Sequence, residues 1–255
     1  MRLTGRTLAI TGGSSGIGRA IALAFAREGA FVAVGDVRTE PREGGTPTHQ
    51  LLGDSGTFVQ CDVTDPTDVD RLIDVAVARS GRLDVMIPAA ILAGRHSRGL
   101  LETTDADWQV IVSVGLTGVF HCCRRAIDQM LDQEPIAEAR GRVILISSQH
   151  GMVGTPGHIA YCAVKGAIVN MTRQLAVDFG TRGVVVNAIA PGKILTTPLD
   201  EPDTEDILAY SRARTPFHRL GQPTDVAGAA VWLASDDCRF VSGVNLPVDG
   251  GWMAY

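Results

Sequence analysis

The stretch Leu8-Ala9-Ile10-Thr11-Gly12-Gly13-Ser14-Ser15-Gly16-Ile17-Gly18 decides the fold, because a short apolar run passes through a glycine-rich turn into an amphipathic helix. Glycine lets the backbone of such a turn approach a pyrophosphate, and the N-terminus of the following helix offers unpaired N–H groups. A purely structural turn would carry the same glycines, so the surrounding sequence has to distinguish the two. As a binding turn, it would contribute Gly12, Ser14, Ser15, Gly16, Ile17 and Gly18 to a nucleotide site.

Short apolar runs alternate with longer helical patterns along the chain, which indicates strand–helix–strand units and a parallel sheet. Several runs consist almost entirely of Val, Ile and Leu, as expected of strands buried on both faces. The predicted strands are Thr7–Ile10, Phe31–Gly35, Thr57–Gln60, Val85–Pro88, Arg142–Ser147, Val184–Ile189 and Asn245–Val248. The predicted helices are Gly16–Glu28, Pro66–Arg79, Asp105–Leu131, Ile159–Thr181 and Thr224–Leu233.

These elements predict an α/β fold, a Rossmann-type doubly wound parallel sheet of about seven strands with helices on both faces. No Pro/Gly/Ser-rich linker divides the chain, so residues 1–255 are predicted to form a single domain. Two segments depart from the regular alternation. Pro41–Gly53, which contains Gly44-Gly45 and two prolines, is predicted as a poorly ordered exposed loop, and residues 198–218 as a mobile lid over the substrate.

The composition is that of an ordinary folded protein, with 45% hydrophobic and 20% charged residues. The formal charge of −5 and the pI near 5.7 argue against a nucleic-acid partner, which would need a basic stripe. No apolar run reaches the roughly 18 residues of a membrane helix, which predicts no membrane partner and a cytoplasmic location. The five cysteines show no C-x-x-C spacing, so we expect buried thiols and no metal site.

The end of the second predicted strand indicates which dinucleotide the turn binds. Asp36 lies about twenty residues after the last glycine, where a carboxylate accepts hydrogen bonds from the ribose hydroxyls and repels a 2′-phosphate. Ser15 and Val37, two positions where a basic residue would favour NADP, are not basic. NAD is therefore the predicted cofactor, and Arg38 keeps NADP as the less favoured alternative.

The segment after the third predicted strand gives a weaker signal. Asp62 and Val63 suit hydrogen bonding and packing around an adenine. An aspartate at such a position could equally well cap a turn, and both interpretations stay open.

The sequence Tyr161-Cys162-Ala163-Val164-Lys165 places a phenol and an ammonium on one face of a predicted helix. Ser148 lies thirteen residues before Tyr161, after a predicted strand. Hydride transfer between an alcohol carbon and a nicotinamide needs a group that moves the hydroxyl proton, and a nearby cation should lower the pKa of a phenol for this role. Ser148 could bond the substrate oxygen. Ser148, Tyr161 and Lys165 are therefore the predicted catalytic residues.

This Ser…Tyr-x-x-x-Lys set, together with the Thr11–Gly18 turn, resembles the short-chain dehydrogenase/reductase family, and the likeness covers nearly the whole chain. The resemblance implies that Lys165 also holds the nicotinamide ribose. It further implies a homotetramer or homodimer paired through Asp105–Leu131 and Ile159–Thr181. The other cofactor contacts that it implies are Pro88, Ala89, Pro191, Gly192, Ile194 and Thr196.

Two positions depart from the family pattern. The family usually carries Asn-Asn-Ala-Gly where this chain has Pro88-Ala89-Ala90-Ile91. Because isoleucine resists the positive φ that glycine allows, we expect a reshaped turn and weaker cofactor binding. Gly115 stands where the family carries a fourth catalytic residue, an asparagine whose main-chain carbonyl holds a water. Glycine keeps that carbonyl, so a proton relay could survive, but Gly115 is not assigned a catalytic role.

The residues that flank the catalytic set bear on the substrate. Gln149, His150 and His158 could hydrogen-bond a substrate with several hydroxyls, or be ordinary polar loop residues. The predicted function is NAD-dependent oxidation or reduction at a secondary alcohol or ketone, with a sugar or polyol favoured. The alternatives are a 3-oxoacyl or steroid-type carbonyl reductase and a non-catalytic nucleotide-binding scaffold.

Overall fold

The computed structural model describes residues 1–92, 98–196 and 203–254. Its centre is one sheet of seven parallel strands in the order β3-β2-β1-β4-β5-β6-β7. The strands are β1 (Thr7–Thr11), β2 (Phe31–Asp36), β3 (Gly56–Gln60), β4 (Val85–Pro88), β5 (Gly141–Ile146), β6 (Val184–Pro191) and β7 (Asn245–Val248). All seven predicted strands are confirmed. The strand order reverses between β1 and β4, so a crevice opens at their carboxyl ends.

Helices connect the strands. They are α1 (Gly16–Arg27), α2 (Thr48–Leu52), α3 (Pro66–Ser80), α4 (Asp105–Val112), α5 (Gly118–Leu131), α6 (Ile159–Phe179), α7 (Glu205–Arg214) and α8 (Pro223–Ala234). The helix predicted over Asp105–Leu131 consists of α4 and α5 joined by a π-helical segment, Ser113–Thr117. The predicted Ile159–Thr181 helix ends at Phe179 and continues as a short 3₁₀ turn.

The prediction of a poorly ordered loop over Pro41–Gly53 is wrong in its second half, which forms α2. The buried Thr48 hydroxyl donates a 3.2 Å hydrogen bond to the Ser14 carbonyl, and the Leu52 side chain is buried against the core. These tertiary contacts order a segment whose glycines and prolines indicate only a loop.

The two faces of the sheet carry separate apolar cores. One is built with α1 and α8, with Phe25 of α1 fully buried between them and the sheet. The other face is covered by α3, α5 and α6. The stretch Asp105–Leu131 is long and apolar enough, by length and composition alone, to cross a membrane. However, 44% of the 18-residue window that meets this criterion is buried inside the protein. It belongs to the second core.

The amino end of the sheet is fastened by a buried carboxylate. Asp84, which is 3% exposed, accepts hydrogen bonds from the Thr7 N–H at 2.9 Å, from Arg82 Nε at 2.8 Å and from Arg6 Nη1 at 3.1 Å. Its carbonyl accepts from the Arg142 N–H at 2.8 Å. One residue therefore joins the starts of β1, β4 and β5.

The lid prediction is only partly within the described residues, since residues 198–202 lie outside them. From residue 203 onward the segment forms α7, and the Thr204 hydroxyl caps this helix by accepting from the Ile207 N–H. Lys193, just after β6, forms an ion pair with Asp203. The segment that precedes α7 is thus tied to the carboxyl end of the sheet.

Candidate active site

The glycine-rich turn after β1 lies against the segment after β4. Gly12 has φ +65°, and a Cβ there would come within 2.8 Å of the Ala90 nitrogen. A larger residue at position 12 would therefore separate the two segments. Thr11 holds them together, since its carbonyl accepts from the Ala89 N–H at 3.2 Å and its Oγ1 from the Ala90 N–H at 3.4 Å.

The segment Pro88–Ile91 continues from β4 without a residue of positive φ. Pro88 ends β4 as the partner of Thr11, and Ile91 adopts an ordinary negative φ. The Ile91 side chain points to the helical segment across the crevice. A Cβ at Gly115 would lie 2.8 Å from Ile91 Cδ1 and 2.9 Å from Val164 Cγ1. Ile91 and Val164 therefore fill the space that a side chain at position 115 would need.

The predicted catalytic residues come together at the carboxyl end of β5. Ser148 is buried, and its Oγ accepts from the His150 N–H at 3.1 Å. The Ser148 side chain also lies close enough to Tyr161 to lower the pKa of the phenol. Lys165, on the next turn of α6, has its Nζ 5.7 Å from the Tyr161 ring centroid. Nζ donates a 2.7 Å hydrogen bond to the Ile146 carbonyl. Helical spacing thus places phenol and amine side by side, as predicted.

The electrostatics of the pair differ from the expectation. Burial raises the pKa of the Tyr161 hydroxyl above its ordinary value of 10, and the Ser148 side chain only partly opposes this effect. Burial also lowers the pKa of the Lys165 ammonium to about 8. Desolvation therefore outweighs the lowering of the tyrosine pKa that we expected from Lys165.

A polar and aromatic wall faces Tyr161. His158 lies edge-on to the Tyr161 ring, with 6.4 Å between centroids, and stacks on His150 at 6.5 Å. His150 meets the edge of the buried Trp252 at 5.9 Å. Burial lowers the pKa of both histidines, which keeps them neutral near pH 7. Neutral imidazoles can accept as well as donate a hydrogen bond, which suits hydroxyl groups.

Gln149 adds an unusual polar atom to this wall. Its Nε2 lies 3.3 Å from His150 Nε2, whereas its buried Oε1 has no hydrogen-bond partner among the described residues. An unpaired buried acceptor costs free energy, so such an atom points to a missing partner. A Cβ on Gly192 would lie 3.1 Å from Gln149 Oε1, which places this atom at the end of β6.

The segment after β6 borders the glycine turn. Gly221 lies opposite Ile194 in a parallel bridge. Its N–H donates to the Lys193 carbonyl and its carbonyl accepts from the Leu195 N–H, so neither bond uses the backbone of Ile194. The N–H and carbonyl of Ile194 therefore point to the opposite side. A Cβ on Gly16 would lie 3.1 Å from Thr196 Cγ2, so Thr196 stands against the start of α1. Pro191 and Gly192 lead from β6 into this segment.

Asp36 and Asp62 have different surroundings. Asp36 accepts from the Ser14 N–H at 3.1 Å and from the Arg38 N–H at 3.3 Å, and burial raises its pKa. It stands beside the glycine turn, as predicted. Asp62 is exposed and caps its own turn, accepting from the Thr64 N–H at 2.9 Å and hydroxyl at 2.8 Å. Its neighbour Val63 is buried.

The residues present fit a dinucleotide. Ser15 precedes α1 without a side-chain cap, and the first turn of α1 carries no acidic residue. The Gly16 N–H donates instead to an anionic oxygen from another segment, Glu43 Oε1, at 2.9 Å. This helix N-terminus therefore binds a negatively charged oxygen, as a pyrophosphate site must. Asp36, at the adenosine end of the proposed groove, and Lys165, at its nicotinamide end, suit the two ribose groups of a dinucleotide.

Two residues that bond the glycine-rich turn or the segment beside it were not predicted from the sequence. Thr11 could have been recognised only as part of the turn, because its bonds to residues 89 and 90 depend on the pairing of β1 with β4. Glu43 lies in a segment predicted as a loop, and nothing in the sequence indicates its contact with a residue 27 positions away.

A glycine-rich nucleotide turn and a Ser–Tyr–Lys cluster, both at the switch point of a doubly wound sheet, define a class of oxidoreductases. A family model described as enoyl-(acyl carrier protein) reductase matches residues 12–253. The chain belongs to the short-chain dehydrogenase/reductase family, whose members use nicotinamide cofactors.

Individual relatives match along their full length. The chain is 37% identical over 251 residues to a 2,5-dichloro-2,5-cyclohexadiene-1,4-diol dehydrogenase of Sphingobium indicum, with 98% of this chain and 97% of the relative covered. It is 38% identical to a cis-4-hydroxycyclohexanecarboxylate dehydrogenase of Sinomonas cyclohexanicum, with 98% and 97% covered. The solved structure of a short-chain dehydrogenase/reductase described as glucose/ribitol dehydrogenase, from Brucella melitensis, superposes with a TM-score of 0.85 at 30% identity, with 99% and 98% covered. The relatives are dehydrogenases that act on alcohols, and this chain is an oxidoreductase of that kind.

Proposed function

We propose that this protein is an NAD-dependent dehydrogenase that interconverts a secondary alcohol and a ketone. The observation that carries the proposal is the cluster of Ser148, Tyr161 and Lys165 at the carboxyl end of the sheet, the end that also carries the glycine turn. The bound nicotinamide would accept or supply the hydride. The protein then has to bind the substrate oxygen, move one proton and exclude water.

Tyr161 would move the proton, since its hydroxyl is the acidic group at the centre of the cluster. In oxidation the phenolate takes the proton of the substrate hydroxyl, and in reduction the phenol returns it to the carbonyl oxygen. The Ser148 hydroxyl, which lies beside Tyr161, can bond the same substrate oxygen. Lys165 supplies positive charge below its pKa of about 8 and favours the phenolate.

The proposal of NAD as the cofactor rests on Asp36. Its carboxylate stands beside Ser14, at the end of β2, where a ribose hydroxyl could donate to it and a 2′-phosphate would be repelled. Cofactor contacts are proposed for Gly12, Ser14, Ser15, Gly16, Ile17, Gly18, Asp36, Val63, Pro88, Ala89, Tyr161, Lys165, Pro191, Gly192, Ile194 and Thr196. Asp62 is a weaker candidate because its carboxylate is already bonded within its own turn.

The proposed substrate is a ring alcohol with further polar groups, such as a sugar or cyclic polyol. His158 faces Tyr161 and stacks on His150, so the two neutral imidazoles offer donors and acceptors at the site. Gln149 Oε1 has no partner among the described residues, and a substrate hydroxyl could supply one. The names of the relatives also describe ring alcohols, a cyclohexadiene diol and a hydroxycyclohexane carboxylate.

We also propose a cytoplasmic homotetramer or homodimer. Trp108 and Phe120 are 40% and 47% exposed on α4 and α5, the long helical stretch predicted to pair with a second copy. Multi-angle light scattering tests the assembly, and a monomer at micromolar concentration would contradict it.

A panel of alcohols with NAD⁺ and NADP⁺, followed by NADH absorbance, tests the activity. We expect turnover of ring polyols, with NAD⁺ preferred. Tyr161→Phe should lower kcat by about 10²–10⁴-fold, whereas Asp54→Asn, an exposed control outside the proposed site, should not. If only 3-oxoacyl thioesters or steroids were turned over, the proposed ring-alcohol substrate would be wrong and a carbonyl reductase would be favoured. Unchanged activity in Tyr161→Phe would contradict the mechanism, and cofactor binding without any turnover would favour a scaffold.

A further inference from the structure

A carboxylate from a distant segment stands on the N-terminus of α1. Glu43 Oε1 accepts from the Gly16 N–H at 2.9 Å and lies 4.0 Å from Arg19 Nε. The Glu43 side chain is 26% exposed, so solvent reaches it from one side. An anion at this point is stabilised by the unpaired N–H groups and the positive end of the helix dipole.

The segment that carries Glu43 is hydrogen-bonded to three residues of the glycine-rich turn. We call residues 38–43 the strap. Ser14 Oγ donates to the Arg38 carbonyl at 2.7 Å, and Ser15 Oγ accepts from the Arg42 N–H at 2.8 Å. Together with the Glu43 contact, three successive turn residues each bond the strap. The backbone of the strap is therefore fixed beside the turn, and the Glu43 side chain extends from it to the Gly16 N–H.

The same helix N-terminus is where the proposed function requires a pyrophosphate. A Cβ built on Gly16 would lie 3.1 Å from Thr196 Cγ2, so this end of α1 borders the proposed cofactor groove. A dinucleotide pyrophosphate carries two negative charges at neutral pH. A carboxylate and a pyrophosphate cannot share the Gly16 N–H, and their like charges repel each other at such short range.

We propose that Glu43 is a latch: its carboxylate binds the Gly16 N–H, which is part of the proposed phosphate site, and is displaced when a dinucleotide binds. This proposal rests on the proposed function, because it presupposes dinucleotide binding at the turn. Glu43 thereby weakens the binding of every ligand that carries a phosphate at this point. Without the Glu43 carboxylate the Gly16 N–H would lose its partner, so the latch also stabilises the start of α1.

Calorimetric titration of NAD⁺, ADP-ribose and adenosine into the parent protein and Glu43→Gln tests the latch. Glutamine can still accept from the Gly16 N–H, but it does not repel a phosphate. We expect NAD⁺ and ADP-ribose to bind about tenfold more tightly to Glu43→Gln, which corresponds to about 1.4 kcal/mol. Adenosine, which has no phosphate, should bind both proteins equally.

Glu40→Gln is the matched control, because Glu40 is an exposed carboxylate of the same strap and its loss changes the net charge equally. Its NAD⁺ affinity should equal that of the parent. A second readout is amide exchange in the ligand-free protein, where Glu43→Ala should speed exchange of the Gly16 N–H at least severalfold. Circular dichroism and thermal melting verify that each variant is folded.

The possible failures are distinguishable. Equal NAD⁺ affinity in the parent and Glu43→Gln would overturn the latch and leave the proposed function intact. An equal gain in Glu40→Gln would show general charge repulsion and would also overturn it. If neither protein bound NAD⁺ or NADP⁺, the latch and the proposed function would both be wrong.

Discussion

Lys165, a proposed catalytic residue, lowers the stability of the folded protein at neutral pH. Its side chain is 4% exposed, and burial lowers its pKa to about 8 from an ordinary value of 10.5. Below pH 8 the folded protein holds a charged amine in a site that disfavours it. Above pH 10.5 the amine is neutral in both the folded and the unfolded state. The free-energy cost is therefore present at pH 7 and disappears as the pH rises from 8 to 10.5.

Lys165→Met should accordingly stabilise the protein at neutral pH while it abolishes activity. Because methionine carries no charge, the variant avoids the free-energy cost of burying one. It leaves the Ile146 carbonyl without its hydrogen-bond donor. We expect a free energy of unfolding about 1–2 kcal/mol higher than that of the parent at pH 7. The advantage should vanish, and then reverse, by about pH 10.5. Urea unfolding at both pH values measures the difference, and a pH-independent difference would contradict the argument.

At the scale of elements, the packing around Gly115 links the two departures from the family pattern, the glycine at position 115 and the isoleucine at position 91. Alanine normally stabilises a helix by about 1 kcal/mol relative to glycine. At position 115 the added Cβ would meet Ile91 Cδ1 and Val164 Cγ1 at under 3 Å. Because overpacking costs about 1–3 kcal/mol, we expect Gly115→Ala to lower the free energy of unfolding.

Gly228→Ala provides the matched control, since Gly228 is exposed in α8 and a Cβ there meets nothing within 4 Å. This variant should gain up to about 1 kcal/mol. Introducing Ile91→Val and Val164→Ala should turn the Gly115→Ala change from unfavourable to favourable. Chemical denaturation of the set forms a thermodynamic cycle, and additive effects would rule out the proposed packing.

The elements themselves were largely predictable, because the buried parallel strands and the helix that carries Tyr161 are determined by local patterns of apolar residues. The side-by-side arrangement of Tyr161 and Lys165 follows from helical spacing alone. The Glu43 contact, the ordering of α2 through Thr48 and the filling of the space at Gly115 were not predictable. Each joins residues far apart in sequence, and only the assembled sheet brings them together.

For the molecule as a whole, the two ends of the sheet have separate tasks. The carboxyl end carries the proposed active site, and the amino end carries the Asp84 cluster. Removing one member of a buried ion cluster leaves charges without partners and costs about 3–5 kcal/mol. Asp84→Ala should lower the free energy of unfolding by this amount but leave the NAD⁺ affinity of the folded protein unchanged.

Asp74→Ala is the comparison, because Asp74 is 66% exposed and pairs with Arg125 at the surface. Its cost should stay below about 1 kcal/mol. Urea unfolding and calorimetric NAD⁺ titration measure both quantities for both variants. A large loss of NAD⁺ affinity in folded Asp84→Ala would mean that the two ends of the sheet are coupled.

The packing at Gly115 also limits how this site can be redesigned. A chain with a side chain at position 115 has no room for both Ile91 and Val164 in the arrangement seen here. Installing asparagine at position 115 therefore requires smaller residues at positions 91 and 164 in the same variant. The three positions form one unit of design, and an exchange tested at only one of them measures a steric clash and not the role of the new side chain.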